Sequence, residues 1–115
     1  MASTAFLELL KSTMKTDCVR YSKLVKNKIE KVAICGGSGS FLLSNAKSAK
    51  ADILITADFK YHDFFDADGK IIIADIGHYE TEQFVAEKIS EIIKKKFPKL
   101  AVILTQINTN PISYY

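Results

Sequence analysis

The stretch that decides the fold is IIIADIGHYETEQF, which runs from Ile71 to Phe84. Its first part is apolar, β-branched and too short for a helix, so it predicts a fully buried strand. The chain then turns at Gly77 and enters a strongly helical segment that lasts to about Phe97. This order predicts one strand–turn–helix unit of an α/β fold.

Two side chains at the start of that helix could share a metal ion. His78 and Glu82 are four residues apart, so both project from one face of the first helical turn. Imidazole and carboxylate groups are both metal ligands. Alternatively, Glu80 and Glu82 complement the helix dipole while His78 caps the helix. Spacing alone favours this alternative, because such pairs are common on exposed helices.

The composition is that of one folded globular domain. Of the 115 residues, 48% are apolar and 25% are charged, both close to the globular average. The 16 basic and 13 acidic residues leave a net charge of +3, which does not by itself indicate nucleic acid as a partner. Part of the excess is the run Lys94 to Lys96, where cations complement the end of the long helix.

The cysteines and the hydropathy indicate an intracellular setting. Cys18 and Cys35 are too few and too far apart for a disulfide framework or a zinc knuckle, which suits a reducing compartment. No apolar run approaches the length of a membrane span, and the first residues lack the pattern of a signal peptide. We therefore expect a cytoplasmic protein without membrane contact.

The first 31 residues predict a helix, a short strand and a connector. Ser3 or Thr4 can cap the helix, the strand covers Cys18 to Ser22, and the connector reaches Lys31. These elements precede the part of the chain that carries the motifs.

From residue 32 to the end, predicted strands and helices alternate. Four apolar runs without polar alternation predict buried strands, at Val32–Cys35, Ile53–Thr56, Ile71–Asp75 and Ala101–Gln106. Helices are predicted at about Phe41–Lys50, briefly within 57–66, and at His78–Phe97 with a buried stripe of Val85, Ile89, Ile92 and Ile93. We predict an α/β fold, with a largely parallel sheet and helices on both faces. Residues 1–115 form a single α/β domain, of which 32–115 are the motif-bearing core.

Polar residues follow every predicted strand. In an open α/β sheet, ligands bind in the crevice outside the carboxyl ends of the strands. If the strands are parallel, the four polar clusters lie at one edge of the sheet, together with both histidines of the chain. The clusters are Gly36–Ser40, then Asp58, Lys60 and His62, then Asp75, Gly77 and His78, and finally Gln106, Asn108 and Asn110.

The glycine-rich loop is a candidate substrate-binding element. Its residues Gly37, Ser38, Gly39 and Ser40 match neither the dinucleotide fingerprint, nor the P-loop, nor the nucleophile elbow. Backbone amides and hydroxyls at a helix start can hold an anion such as a phosphate. An equally good alternative is a tight turn in which Ser38 or Ser40 caps the next helix.

The second polar cluster offers candidate catalytic groups. Asp58, Lys60 and His62 could act as acid, base and electrostatic groups at the mouth of the crevice. The alternative is a capping aspartate with exposed polar neighbours. Asp75 ends an apolar strand, and a buried carboxylate there needs hydrogen-bond partners or a metal. We expect the neighbouring aromatic residues to lie in the core or in a subunit interface. They are Phe59, Tyr61, Phe64 and Phe65.

Four motifs, taken together, resemble the C-terminal half of the Nif-three-like proteins, also called the GTP cyclohydrolase I type 2 family. The resemblance covers nearly everything from Val32 to the end. The motifs are VAICGGSGS (32–40), ITADFKYH (55–62), DIGHYETE (75–82) and NTNP (108–111).

The resemblance implies a dinuclear metal centre in an α/β protein that assembles into a toroidal hexamer. Its metal ligands would be a histidine pair and an aspartate from the N-terminal half, joined here by His78 and Glu82. It also places Asp58, Lys60 and His62 near the metal cleft. Zinc, iron and manganese would suit such divalent sites alike. The implied function is that of a metal-dependent hydrolase-like protein, and the alternative is a non-enzymatic metal-binding interaction or regulatory module.

Two departures from the family pattern bear on this implication. Thr56-Ala57-Asp58 stands where many members have Thr-Gly-Asp, which leaves the aspartate in place. More seriously, His62 and His78 are the only histidines, so the adjacent histidine pair is absent. We therefore expect a C-terminal portion whose partner is the missing N-terminal half. Alone it would bind metal weakly or not at all and would be inactive; the whole protein would act on a phosphate-containing small molecule.

Overall fold

The computed structural model describes all 115 residues and contains a four-stranded sheet with helices on both sides. The helices are α1 (Ser3–Thr13), α2 (Leu43–Ser48), α3 (His78–Glu82) and α4 (Val85–Lys96), with 3-10 helices at Ser40–Leu42 and His62–Ala67. The strands are β1 (Arg20–Tyr21), β2 (Val32–Ser38), β3 (Ile53–Ala57) and β4 (Ile72–Asp75).

The sheet has the order β1-β4-β3-β2 and is mostly parallel. β2, β3 and β4 run parallel to one another, and only β1 is antiparallel to its neighbour β4. Every residue of β3 and β4 is buried, as expected for parallel strands without polar alternation. The predicted burial of Val32–Cys35 is wrong, because β2 is the last strand of the sheet and Ile34 is 72% exposed. The predicted α/β fold with a largely parallel sheet is confirmed.

Two apolar clusters cover the two faces of the sheet. On one face, Leu10 of α1 packs with side chains from the strands and the connector, namely Ile29, Ile53, Ile55, Ile72, Ala74 and Ile76. On the other face, α2 and the second 3-10 helix contribute to a cluster of Leu43, Ala46, Ala51, Leu54, Phe59, Ala67, Ile71 and Ile73. Of the predicted aromatic group, Phe59 is core, whereas Tyr61 and Phe65 are exposed.

The predicted last strand, Ala101–Gln106, is wrong for this structure. Residues 101–115 form no helix or strand, and the Ile103 side chain is 92% exposed. A strand requires a neighbour to satisfy its backbone hydrogen bonds. No strand of this chain pairs with the segment, so its β-branched residues are not sufficient to form one.

The predicted long helix is divided into α3 and α4. Phe84 lies between them with ψ near zero (φ −89°, ψ −7°), which interrupts the regular helix. The predicted burial of its apolar stripe is also wrong, since Val85, Ile89 and Ile92 are each more than half exposed. The radius of gyration is 16.2 Å, compared with about 13 Å for a compact domain of this length.

The elements around the glycine-rich loop also differ from prediction. β2 continues through the glycines to Ser38, with an irregular register between Ile34 and Ser38. The helix predicted at Phe41–Lys50 is the 3-10 helix followed by the six residues of α2. In no case is a helix both long and apolar enough to cross a membrane.

Candidate metal-ligand site

The carboxyl ends of the three parallel strands bring the predicted site residues to one edge of the sheet. Ser38 ends β2, Asp58 follows β3, and His78 begins the helix after β4. The glycine loop and the start of α3 are in contact, because a Cβ added to Gly37 would lie 3.2 Å from His78 Nε2 and 2.8 Å from Glu82 Oε1. Gly37 also has φ +65°, so both its surroundings and its backbone favour glycine.

His78 and Glu82 face each other on one side of α3. The distance from His78 Nε2 to Glu82 Oε2 is 3.3 Å. Their side chains are 47% and 52% exposed, so a ligand can reach both from solvent. The pair therefore offers one nitrogen and one oxygen donor, a set that suits zinc, iron and manganese.

Asp58 holds the other side of the His78 ring. His78 Nδ1 lies 2.6 Å from Asp58 Oδ2, and the Ser38 hydroxyl donates a hydrogen bond to the same oxygen. The Ser38 hydrogen bond, followed by the one with His78, lowers the pKa of Asp58. In turn, the hydrogen bond with Asp58 raises the pKa of His78.

Two threonines connect the glycine loop to its surroundings. The Gly37 amide donates to Thr81 Oγ1 at 2.7 Å, and the Thr81 hydroxyl donates to the His78 carbonyl at 2.7 Å. Thr56 Oγ1 donates to the Gly37 carbonyl at 2.9 Å. These contacts position the loop against α3. Sequence reasoning missed both threonines, because each acts on a residue distant in sequence.

Asp75 is buried and hydrogen-bonded within the protein, unlike the solvent-exposed His78 and Glu82. Arg20 Nη2 donates to its Oδ2, the Phe59 amide donates to the same oxygen at 2.9 Å, and the Gly77 amide donates to Oδ1 at 3.1 Å. Arg20 also donates to the Phe59 carbonyl at 2.8 Å. The ion pair thus holds the turns after β3 and β4 together. Sequence reasoning missed Arg20; its place on the short first strand was the only available signal.

Lys60 and His62 lie outside the hydrogen-bonded group around His78. Both are exposed. The Lys60 amide donates to Asp63 Oδ2 at 3.2 Å, and the His62 ring contacts the edge of Tyr61. The structure therefore brings together the glycine loop, Asp58, His78 and Glu82, and leaves Lys60 and His62 as neighbours along the chain.

The last polar cluster, Gln106, Asn108 and Asn110, lies beside the site although no strand precedes it. Asn108 and Asn110 line an open groove of about 780 Å³, which His78 and Glu82 also line. Asn110 Nδ2 donates to Glu80 Oε1 at 3.4 Å. The C-terminal segment therefore forms one wall beside the candidate ligands.

Glu80 lies in the first turn of α3, as the helix-dipole interpretation requires, and it is buried. Its side chain is 5% exposed, and its Oε2 has no hydrogen-bond partner in the chain. Burial, followed by the nearby Glu80 carboxylate, raises the pKa of Tyr114. Glu80 therefore lies on the buried side of α3, whereas His78 and Glu82 lie on its exposed side.

No group of three or more His, Cys, Asp or Glu side chains in the chain has the geometry to hold a metal ion. Asp58 Oδ2 already receives two hydrogen bonds, so the remaining donors of this cluster are His78 Nε2 and the Glu82 carboxylate.

Comparison with known proteins identifies the family of this chain. The chain matches the model of Duf34/NIF3 (NGG1p interacting factor 3) over residues 1–111. A GTP cyclohydrolase 1 type 2 homolog of Campylobacter jejuni is 32% identical over 116 residues, which cover 100% of this chain and 46% of that protein. A homolog of the same name from Clostridium perfringens is 36% identical over 99 residues, which cover 84% of this chain and 37% of that protein.

Solved structures give the same result. A Staphylococcus aureus protein superposes with a TM-score of 0.83 at 28% identity, over 100% of this chain and 39% of its own. A Bacillus cereus protein related to NIF3 superposes with a TM-score of 0.82 at 28% identity, over 100% of this chain and 33% of its own. The chain thus spans less than half the length of these relatives. Its sequence and its fold together show that it belongs to the Duf34/NIF3 family.

Proposed function

We propose that this chain is the part of a dinuclear-metal, hydrolase-like protein that contributes two metal ligands, His78 and Glu82. The observation that carries the proposal is the 3.3 Å approach of His78 Nε2 to Glu82 Oε2 on an open face at the carboxyl edge of the sheet. Nitrogen and oxygen donors at this separation suit one shared divalent ion.

The remaining ligands would come from the part of the relatives that this chain does not span. Two protein ligands leave a divalent ion mostly hydrated, whereas catalytic zinc normally has three. The chain covers 46% of the Campylobacter relative, so there is ample further sequence in such proteins to complete the site. On this proposal, the N-terminal half is the obligatory partner and this chain alone binds metal weakly.

A bound metal ion would supply a water of lowered pKa, which is a nucleophile at neutral pH. The residues of this chain would position the substrate around it. We assign the glycine loop Gly37–Ser40 to a phosphate group, Lys60 to its negative charge and His62 to proton transfer. Since the Gly37 amide and the Ser38 hydroxyl already donate hydrogen bonds within the protein, we assign the incoming oxygen to the Ser40 hydroxyl.

Phosphate binding at this loop would depend on the metal ions being present. The Asp58 and Glu82 carboxylates lie beside the loop, and their negative charge repels an anion. Divalent cations would reverse the local charge. The relatives are called GTP cyclohydrolase 1 type 2 homologs, which makes GTP the first nucleotide to test.

Metal binding is tested with manganese and an amide NMR spectrum, because paramagnetic broadening detects even weak binding. We expect Mn²⁺ to broaden the amide signals of 37–38, 58 and 78–82 selectively. The broadening should disappear in His78→Ala and in Glu82→Gln, and should persist in the control His62→Ala. Broadening that is absent from these residues, or that survives both ligand substitutions, would overturn the metal assignment.

Catalysis is tested in a longer protein that contains this sequence and an N-terminal half. We expect hydrolysis of GTP, other nucleotides or phosphoesters that stops when metal is removed and when Glu82 is changed to Gln. Activity that survives both changes refutes the hydrolase assignment. Metal binding without activity toward any of these compounds would favour the non-enzymatic module instead.

We also propose that the longer protein assembles into a toroidal hexamer. The supporting feature is the apolar side of α4, where Val85, Ile89 and Ile92 are more than half exposed in the single chain. Light scattering of the longer protein should give the mass of six copies, and a monomer would contradict the proposal.

A further inference from the structure

We propose that Asp58 is a positioning residue, which places the hydrogen of the neutral His78 ring on Nδ1 and leaves the Nε2 lone pair for a metal ion. The inference rests on the proposed function for the identity of that ligand. It assigns Asp58 to the orientation of His78 rather than to direct contact with a substrate.

The two ring nitrogens of His78 face two different carboxylates. Nδ1 lies 2.6 Å from Asp58 Oδ2, whereas Nε2 lies 3.3 Å from Glu82 Oε2. An ionised carboxylate only accepts hydrogen bonds, so the nitrogen in the short contact must carry the hydrogen. In the neutral ring, the other nitrogen then holds the lone pair, and it points toward Glu82.

Asp58 is itself held in place by the sheet. It follows directly on Ala57, which is fully buried and lies opposite Ser38 in the pairing of β2 with β3. The Ser38 hydroxyl donates to the same Oδ2 that receives the His78 ring. Asp58 also has φ +59°, a left-handed conformation that aspartate tolerates better than most residues. The strand pairing thus fixes the backbone next to Asp58, and the Ser38 hydrogen bond orients its carboxylate.

The same hydrogen bonds distinguish Asp58 from the candidate metal ligands. Its Oδ2 receives hydrogen bonds from both Ser38 and His78, while Glu82 turns its oxygens toward Nε2 on the open side of the ring. Histidines that bind metal commonly donate their other N–H to a carboxylate, and loss of that partner typically weakens metal binding 10- to 100-fold. His78 and Asp58 have this arrangement, with Nδ1 directed at the Asp58 carboxylate.

The tautomer can be read directly from the ¹⁵N shifts of the imidazole nitrogens, with the full chain free of metal. Spectra are recorded at increasing pH until the imidazole shifts no longer change, which identifies the neutral ring. We expect the wild-type His78 to show the Nδ1–H form. Asp58→Gly removes the carboxylate while accepting the left-handed φ, and Glu82 should then draw the hydrogen to Nε2. His62, in the same spectrum, is the control and should not change.

Each outcome of this experiment either supports or overturns the positioning role of Asp58. An Nε2–H form in the wild type, or an Nδ1–H form that persists in Asp58→Gly, overturns the positioning role. If Asp58→Gly does not fold, Asp58→Asn serves as the second variant, since asparagine also tolerates the left-handed φ and removes the negative charge beside Nδ1. The hydrogen should then move toward Nε2, and an unchanged Nδ1–H form in this variant overturns the proposal. A tautomer change without Mn²⁺ binding in the wild type would refute the metal site and leave the orientation by Asp58 intact. When Mn²⁺ binds the wild type, its affinity should fall at least about tenfold in Asp58→Gly.

Discussion

At the level of single residues, Gly39 lies where any side chain would collide with the neighbouring strand. An added Cβ would clash with Thr56 Oγ1 and lie 2.9 Å from Cys35 Cβ. The Thr56 hydroxyl cannot simply move away, because it donates to the Gly37 carbonyl. The requirement for glycine here thus comes from close packing between β2 and β3.

We predict that Gly39→Ala lowers the free energy of unfolding by about 1–3 kcal/mol, the usual cost of overpacking a tight site. Urea denaturation measures this change. Gly36→Ala is the matched control, since an added Cβ there meets its nearest atom at 3.8 Å, which is ordinary contact. Equal stability of the two variants would show that the β2–β3 contact relaxes easily.

Asp52, which is not among the candidate ligands, makes a pH-dependent contribution to the free energy of unfolding. Its Oδ2 accepts hydrogen bonds from the Glu30 and Lys31 amides at 2.9 Å each. The Lys31 hydrogen bond, followed by that of Glu30, lowers the pKa of Asp52 below its usual 3.8. Because the folded pKa is the lower one, the stabilisation is present above the unfolded pKa and is lost as pH falls through the folded pKa.

We therefore predict that Asp52→Asn costs about 1 kcal/mol of stability at pH 7 and progressively less below about pH 4. The free energy of unfolding measured across this pH range tests it. The exposed Asp66, changed to Asn, is the control and should leave the profile of the wild type unaltered. A difference between Asp52→Asn and wild type that does not depend on pH would contradict the assignment.

The contact between His78 and Glu82 could be predicted from sequence alone, because it depends on local spacing. His78 and Glu82 are four apart, and a helix brings such residues together whatever surrounds it. Thr56, Thr81 and Arg20 gave no such signal. Each acts on a group 19 or more residues away in the chain, and only the folded sheet brings the partners together.

Among the secondary-structure elements, β1 is too short to be held by its backbone hydrogen bonds alone, and an ion pair stabilises its contact with the sheet. It has two residues, Arg20 and Tyr21, and Arg20 lies opposite Asp75 of β4. The Arg20 guanidinium binds both the buried Asp75 carboxylate and the Phe59 carbonyl. One side chain therefore connects β1, β4 and the turn after β3.

We predict that Arg20→Ala lowers the free energy of unfolding by about 2 kcal/mol, because Asp75 is left buried without its cation. The value is smaller than for a fully buried pair, since Arg20 is 54% exposed and water can partly replace it. Urea denaturation measures the loss, and Lys23→Ala, at an exposed position nearby, is the control. A loss no greater than that of Lys23→Ala would show that water fully replaces the guanidinium.

Local pattern predicted the existence of most elements but not the extent of all of them. The buried strands β3 and β4 were predicted because short apolar runs rich in isoleucine leave little alternative. The segment Ala101–Gln106 has a similar pattern, yet it forms no strand. The difference is the neighbour, since strand formation depends on hydrogen bonds to another strand that a one-dimensional pattern does not contain.

At the scale of the whole molecule, α4 stands apart from the two cores. Its apolar stripe has the spacing of a core-facing helix, but Ile92 is 57% exposed, whereas Ile73 on the sheet is fully buried. The two isoleucines have the same chemistry and differ only in what surrounds them. Their energetic contributions to this chain should therefore differ greatly.

We predict that Ile92→Ala changes the free energy of unfolding by less than about 0.5–1 kcal/mol, while Ile73→Ala costs about 2–5 kcal/mol. Urea denaturation of the single chain at low concentration measures both values. A large cost for Ile92→Ala would indicate that α4 is packed in solution, against the body of the chain or against another copy.

The sequence by itself determined the fold class, the positions of the parallel strands β2, β3 and β4, and the helical turn that carries His78 and Glu82. These follow from local properties: β-branched runs, glycine turns and the four-residue period of a helix face. The tertiary structure alone decided that Asp58 holds the His78 ring while Ser38 holds Asp58, that Asp75 pairs with Arg20, and that residues 101–115 remain without a partner strand. Each of these depends on atoms from distant segments meeting in space, and no spacing along one chain can specify such a meeting.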